Sequence, residues 1–476
     1  MNLRGKTVLV LGMGETGLSM VNWLSRMGAN VRAADSRAAP PCLESVKQIL
    51  PRARIFTGAY AAEVFAGLDL VAISPGVPVA EPLVQAAVRD GVTVMGDMEL
   101  FALAIKQPGV EKPRILAITG SNGKTTVTAM TGTMMRKAGW DVEVAGNIGP
   151  AVLDALMRRE DSGKQPQAWV LEVSSFQLEV TRNLDPDAAT VLNLSEDHFD
   201  RYAGMDDYAA AKARIFQGGT RNGHGGGGVQ VLNRDDPLVR AMALTDRRQM
   251  TFGLDMPVGD NDFGLLHEGE DIWLAQGKTR LMKTGELGVT GLHNAANALA
   301  ALALCRAIDL PFTPLLQALR EFRGLPHRME KVAAFGGVTF YDDSKGTNVG
   351  ATVAALEGMA QSVVLIAGGD GKGQDFSPLA QPVTQHARAV VLIGRDAKKI
   401  YAAIEDCGVP LHHATTMEEA VRRSFALARN GDAVLMSPAC ASLDMFRNYV
   451  HRAEVFVAAV RGLQTGASDM INTVSS

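Results

Sequence analysis

Cysteine is scarce. There are four in 476 residues, at positions 42, 305, 407 and 440, and none is spaced as C-x-x-C. That argues against a disulfide framework and against a thiolate zinc site. One-sided charge is missing too. Lys and Arg number 47 against 51 Asp and Glu, a net charge of −4, so no global basic field points to nucleic acid. No apolar run reaches the ~20 residues of a membrane span. The start, Met1-Asn-Leu-Arg-Gly-Lys-Thr7, runs straight into a strand and carries no signal-type apolar region. What is present is 47% hydrophobic residues, enough for large cores, and a length that predicts about three domains at the usual ~150 residues each. The expectation is a soluble, cytoplasmic, monomeric protein.

One stretch organises the rest: Ile115-Leu-Ala-Ile-Thr119-Gly120-Ser121-Asn122-Gly123-Lys124-Thr125-Thr126. Four apolar residues predict a buried strand, a glycine turn follows, and a helix is expected from Thr125 through Val127, Met130 and Met134. Strand, glycine loop and helix N-terminus in series make a cradle for polyphosphate, because backbone N–H groups can turn toward the anion. Lys124 is placed to lie along the β- and γ-phosphates, and the Thr125 hydroxyl to hold Mg²⁺. The spacing departs from the common G-x-x-x-x-G-K-[ST], since Gly120 lies only three residues before Gly123.

From the N-terminus, Thr7 to Leu11 predicts a strand, followed by Gly12-Met-Gly14-Glu15-Thr16-Gly17 and a helix. A second strand, Asn30 to Ala34, ends in Asp35-Ser36-Arg37. An acid about 20 positions after a glycine turn is the dinucleotide-type fingerprint, which implies a nucleotide-like ligand without saying which. Another strand from Leu70 ends in Ser74-Pro75-Gly76. Residues 1–110 therefore read as a Rossmann-like domain, with Gln107 to Pro113 as a linker.

Residues 111–325 read as a central domain like a P-loop ATPase, a parallel sheet with a small extra β-sheet from segments such as Asp271 to Leu274. Strand Ala168 to Leu171 delivers Glu172, where such folds place a Mg²⁺ ligand. Strand Ala189 to Leu194 leads into a polar loop with His198. Lys212, on a helix from Asp207 to Gln217, reads as a solvated lysine. Gly223 to Gly228 reads as a mobile surface loop. A helix from about Gly291 to Cys305 starts with Asn294, read as its N-cap, and Asn297, which capping does not explain. Residues 326–476 show strands at Val338 to Tyr341, Val363 to Ala367, Ala389 to Ile393 and Ala433 to Met436, each followed by a helical stretch. That predicts a second Rossmann-like, parallel α/β domain.

Three signatures occur in one order: Gly120 to Thr126, Gly291-Leu-His-Asn-Ala-Ala-Asn297, and Leu325-Pro-His-Arg328 followed by Asp343-Ser-Lys-Gly-Thr347-Asn. Together they resemble the Mur ligases, the ATP-dependent amide-forming enzymes of peptidoglycan precursor synthesis, over essentially the whole chain. The Asp343 string, the Gly12 loop and Ser437-Pro-Ala-Cys-Ala-Ser442-Leu443 point, within that family, to D-glutamate as the amino acid added. The resemblance implies ligation of D-glutamate to UDP-N-acetylmuramoyl-L-alanine through an acyl phosphate and a tetrahedral intermediate. It implies ATP and two Mg²⁺ ions, one at Thr125 and one held by Glu172, His198 and a carbamate that CO₂ forms on Lys212. By position, Gly120, Ser121, Asn122, Gly123, Lys124, Thr125, Thr126, Asn297, Arg328 and Asp343 match the ATP set. Thr16, Asp35, Ser36, Arg37, Ser74, Gly76, Asn147 and Ser174 match the nucleotide-sugar set. Lys345, Thr347, Lys372, Ser442, Leu443 and Tyr449 match the D-glutamate set, in which two lysines suit a dicarboxylate.

The residues alone leave rivals. An NAD-dependent oxidoreductase explains Gly12 to Gly17 and Asp35 but not the Lys124 loop. A P-loop switch or transport ATPase explains Lys124 but leaves the first domain without a task. A folate–glutamate ligase gives no reason for a uridine-type first domain.

Overall fold

The computed structural model describes residues 2–106, 112–217 and 227–474. Apart from Lys112, Pro113, Gly227 and Gly228, the expected linker and the expected glycine loop lie outside these residues. The chain divides into two compact units: Met1–Leu194 with Asp206–Glu286 and Ala296–Glu321, and Ser195–Met205 with Leu287–Ala295 and Phe322–Ser476.

The first unit holds two sheets. One is five-stranded and wholly parallel, in the order Ile55–Thr57, Asn30–Asp35, Thr7–Leu11, Leu70–Ile73, Thr93–Met95. Val8 to Leu11 are fully buried on both faces, which is why that strand is a continuous apolar run at the centre. The chain reverses direction across the sheet between Thr7–Leu11 and Leu70–Ile73, so the glycine turn after one strand faces Ser74 after the other. Ser74 Oγ donates to the Gly12 carbonyl at 3.1 Å. A crevice at such a switch point is where doubly wound sheets take ligands.

The other sheet has nine strands. Arg114–Thr119 lies between Ala188–Val191 and Ala168–Glu172, parallel to both. The expected extra β-structure is present as Asp262–Glu268, Asp271–Gln276 and Thr279–Lys283, hydrogen-bonded onto the edge of this same sheet. Helix Asp97–Ala104 joins the two sheets. It is buried from Asp97 to Ala102, and its Phe101 ring meets Trp169 edge-on at 4.8 Å. One apolar core therefore runs from Val8 and Met20 to Ile115 and Trp169.

The second unit is built on a six-stranded sheet, in the order Glu330–Phe335, Val338–Asp342, Ala433–Met436, Val363–Gly368, Ala387–Ile393, Leu411–His413. Five strands are parallel; four of them were expected, and the short edge strand Leu411–His413 is additional. Glu330–Phe335 is antiparallel and was not anticipated. It is an edge strand with little burial, so it shows no clean alternation. Gly336 and Gly337, both at positive φ (58° and 74°), close its tight hairpin. The C-terminal helix Tyr449–Val474 covers one sheet face with Phe456 and Val460. Among the described residues no helix is long and apolar enough to cross a membrane.

Candidate functional site

The phosphate-loop motif folds as its spacing requires. Helix Lys124–Lys137 opens one residue earlier than expected, on Gly123, which adopts a left-handed conformation (φ 81°). The loop is tied down by Asn193 at the end of the neighbouring strand. Asn193 accepts from the Asn122 N–H at 2.8 Å through Oδ1, and its carbonyl accepts from the Ser121 N–H at 2.8 Å. Ser121 Oγ and the Tyr208 hydroxyl are 3.2 Å apart. Lys124 Nζ donates to the carbonyls of Gly120 and Ser121, both at 2.8 Å. Thr125 is half-buried and Thr126 buried in the first helical turn.

Lys212 corrects the sequence reading. It is 2% exposed, not solvated. Its Nζ donates to the Gly120 carbonyl at 2.9 Å and stands 4.5 Å over the Tyr208 ring. Helix Met205–Ala213 turns Tyr208, Ala211 and Lys212 inward, a face the short polar sequence did not advertise. Two amines thus converge on one loop carbonyl, a positive setting for a polyphosphate.

Asn297 finds its partner here. A Cβ at Gly123 would stand 2.5 Å from Asn297 Oδ1, so the amide lies directly against the loop. Asn294 is not a cap: helix Leu292–Ala307 already includes it, and its Nδ2 donates back to the Thr290 carbonyl at 2.7 Å.

Glu172 ends strand Ala168–Glu172 and is 1% exposed. Its Oε1 accepts from Asn147 Nδ2 at 2.6 Å, and its carbonyl accepts from the Asn147 N–H at 2.8 Å. Among the described residues, Oε2 is buried without a hydrogen-bond partner. An unsatisfied buried carboxylate oxygen is what a hard divalent cation would complete, so Glu172 fits a Mg²⁺ ligand.

At the switch point of the five-stranded sheet lies a cavity of about 570 Å³. Thr16, Asp35, Ser36, Arg37, Ser74, Gly76 and Asn147 all stand in its wall, so the structure brings together seven of the eight residues expected around the nucleotide sugar. Ser174 does not line it. It caps helix Ser175–Leu178 in a reciprocal box with Gln177, and Gln177 lines the cavity instead. The Asp35 carboxylate is committed locally. Burial alone would raise its pKa, but Arg37 (2.6 Å) and the Met13 N–H (2.7 Å) hold it below its ordinary value. Tyr60, also in the wall, was missed because its segment has no periodic pattern; burial pushes its phenol upward.

The second unit carries the remaining expected residues, His198 among them. Its Asp197 forms an ion pair with Lys372 and accepts from the His198 N–H at 3.0 Å. Lys345 Nζ stands 3.8 Å over the Tyr449 ring. Thr347 is half-buried, Ser442 is buried and Leu443 is exposed. Burial pushes the Asp343 carboxyl up to about 7, although the Ser437 hydroxyl (2.7 Å) and the charge of Arg328 work against it. Arg452 was missed. It is fully buried on the C-terminal helix and donates to Ser344 Oγ (3.0 Å), Ser344 O (2.7 Å) and Cys440 O (3.0 Å). It thereby ties the Asp343–Lys345 loop to the Ser437–Ser442 loop. A cavity of about 800 Å³ in this unit is walled by Asn294, Arg328, Glu330 and Tyr341.

Three family profiles match the chain: "Mur ligase MurD-like, N-terminal domain" over residues 6–96, "Mur ligase middle domain" over 118–305, and "Mur ligase, glutamate ligase domain" over 327–440. The chain is 70% identical over 464 residues to the UDP-N-acetylmuramoylalanine–D-glutamate ligase of Nitrosospira multiformis, covering 98% of this chain and 97% of that one. It is 66% identical over 461 residues to the protein of the same name from Nitrosomonas europaea, covering 97% of each. Among solved structures, the UDP-N-acetylmuramate-alanine ligase of Thermotoga maritima superposes with a TM-score of 0.60 at 19% identity, over 96% of this chain and 99% of that one. That likeness concerns the fold.

Proposed function

The chain belongs to the Mur ligase family, and we propose from that premise that it joins D-glutamate to UDP-N-acetylmuramoyl-L-alanine at the expense of ATP. A free carboxylate is a poor acyl donor because oxide does not leave. Transfer of the ATP γ-phosphoryl group to the alanyl carboxylate makes phosphate the leaving group. The D-glutamate amine then attacks the acyl phosphate, and the tetrahedral adduct collapses to amide and phosphate, with ADP already formed. The obstacle is charge, since a carboxylate must approach a triphosphate.

Lys124 and the N–H groups of Gly120 to Thr126 meet the phosphates, and Asn297, Arg328 and Asp343 hold the rest of ATP. Mg²⁺ at Thr125, and at Glu172, His198 and a Lys212 carbamate, would screen the two anions when bound. The burial of Lys212 beside the loop supports carbamylation by CO₂, which would exchange a repelling ammonium for an oxygen ligand. Thr16, Asp35, Ser36, Arg37, Ser74, Gly76, Asn147 and Ser174 serve the nucleotide sugar. Lys345, Thr347, Lys372, Ser442, Leu443 and Tyr449 serve D-glutamate, Tyr449 as an aromatic wall. The three functional regions are 1–110, 111–325 and 326–476, in a cytoplasmic monomer.

The observation that carries this reading is the Gly120–Thr126 loop, one strand away from a buried carboxylate with an unpartnered oxygen. The test is phosphate release with each substrate omitted in turn. Release should require all three substrates, and L-glutamate should not replace D-glutamate. Release that ignores the nucleotide sugar and the amino acid would overturn the proposal.

A further inference from the structure

Helix Asp97–Ala104 touches two turns of the candidate site with its first two residues. A methyl at Gly146 would come within 2.8 Å of Met98 Cε, so Met98 packs directly under the Gly146–Asn147 turn that grips Glu172. Asp97, 1% exposed, accepts from Gln177 Nε2 through Oδ2 at 2.9 Å. The other end of that amide is fixed as well. Gln177 Oε1 accepts from the Ser174 N–H at 3.0 Å and from the Ser174 hydroxyl at 3.2 Å.

A backbone N–H can only donate, so Oε1 must face Ser174 and Nε2 must face Asp97. Rotating the amide would set donor against donor. Gln177 is 3% exposed and forms part of the 570 Å³ cavity wall, whereas Asp97 lies behind that wall. Among the described residues Asp97 Oδ1 has no hydrogen-bond partner, and burial pushes the carboxyl up to about 6, although the Gln177 amide and the backbone of Met98 and Asp97 work against it. A half-satisfied buried carboxylate costs the fold more than an apolar side chain would. What it supplies in return is an acceptor for Gln177.

We infer that Asp97 is a positioning residue for the nucleotide sugar: through Gln177 it fixes the Ser174–Gln177 turn, as Met98 fixes the Gly146–Asn147 turn, against the Gly12 loop across the same cavity. This rests on the reading that the cavity takes the nucleotide sugar.

The test is a mutant cycle on the full chain, read by calorimetric titration with UDP-N-acetylmuramoyl-L-alanine and, separately, with ATP. Gln177→Glu removes the Nε2 donor and sets a second carboxylate against Asp97. It should weaken nucleotide-sugar binding about tenfold, the loss of one hydrogen bond, and leave ATP binding within about twofold. Adding Asp97→Asn returns a donor opposite the new carboxylate and should recover at least half of the logarithmic loss. A cavity wall held by general packing would give additive losses with no recovery. If Gln177→Glu does not fold, Asp97→Leu removes the acceptor without adding charge and should weaken nucleotide-sugar binding by a similar factor. Wild-type affinity in Gln177→Glu, or in Asp97→Leu, or no recovery in the double variant, overturns the inference while the cavity assignment stands. Failure of the wild-type chain to bind the nucleotide sugar overturns both.

Discussion

Gly123→Ala should cripple the phosphate loop by an amount that can be worked out beforehand. Two costs add. At φ 81° an L-residue pays about 1–2 kcal/mol relative to glycine. The new Cβ would also stand 2.5 Å from Asn297 Oδ1, with Leu192 Cδ1 at 3.4 Å on its other side. Asn297 must withdraw, at about 1 kcal/mol for a forced rotamer. The sum is about 2–3 kcal/mol, roughly 30- to 150-fold in an equilibrium constant. If the loop holds its shape, the loss appears as a lower unfolding midpoint. If the loop relaxes, it appears as weaker ATP binding. The two losses together are the predicted quantity, measured by calorimetric titration and urea unfolding. In an Asn297→Ala background the clash is gone, and only the backbone cost of about 1–2 kcal/mol should remain. A Gly123→Ala chain with both quantities unchanged would refute the geometry. An identical loss in the Asn297→Ala background would refute the role given to the Asn297 contact.

Lys212→Ala should lower D-glutamate-dependent phosphate release at least a hundredfold, and short carboxylic acids such as formate or acetate should partly restore it; no rescue at any concentration would count against a carbamate. Asp343→Asn should stabilise the chain in an alkaline-shifted manner. The folded carboxyl titrates near 7 and the unfolded one at 3.8, so its ionisation penalty is absent below 3.8, grows as pH rises to about 7, and is constant above. The stability gained by the substitution should therefore be about 2–3 kcal/mol larger at pH 8 than at pH 5, as read by urea unfolding, and a gain independent of pH would refute it. Arg452→Met strands three buried acceptors and should destabilise by about 3–5 kcal/mol while raising the KM for D-glutamate; a melting temperature within a degree of wild type would show that the tie between the two loops is dispensable.

The phosphate loop was legible because its signal is local. A strand, two glycines and a helix start fix backbone direction whatever surrounds them. The βα turns at Gly12 and Ser74 were legible for the same reason, and so was most of the third sheet. Lys212 was not, since nothing in Asp207 to Gln217 tells which face of that helix is covered. Asn297 stood between the two cases. Capping could not explain it, and only the fold shows that it meets Gly123. Asn193 holds the loop from a strand about 70 residues away, and no spacing rule reaches that far. Gln177 did have a local mark, the Ser174-x-x-Gln177 box, but a box announces a helix start and says nothing of a cavity. Asp35 shows the limit of a fingerprint, since its position matched while much of its charge is spent on Arg37 and the turn beneath it.

The edge-on contact of Phe101 with Trp169 limits how this chain could be dissected. A fragment begun at Arg114, cut to isolate an ATP-cleaving core, would bare a wholly enclosed indole and the aliphatic floor around it. Such a truncation would invite self-association long before it revealed any chemistry. The module built on the five-stranded sheet is a fitted lid to its neighbour's oil, and a workable minimal piece has to retain helix Asp97–Ala104.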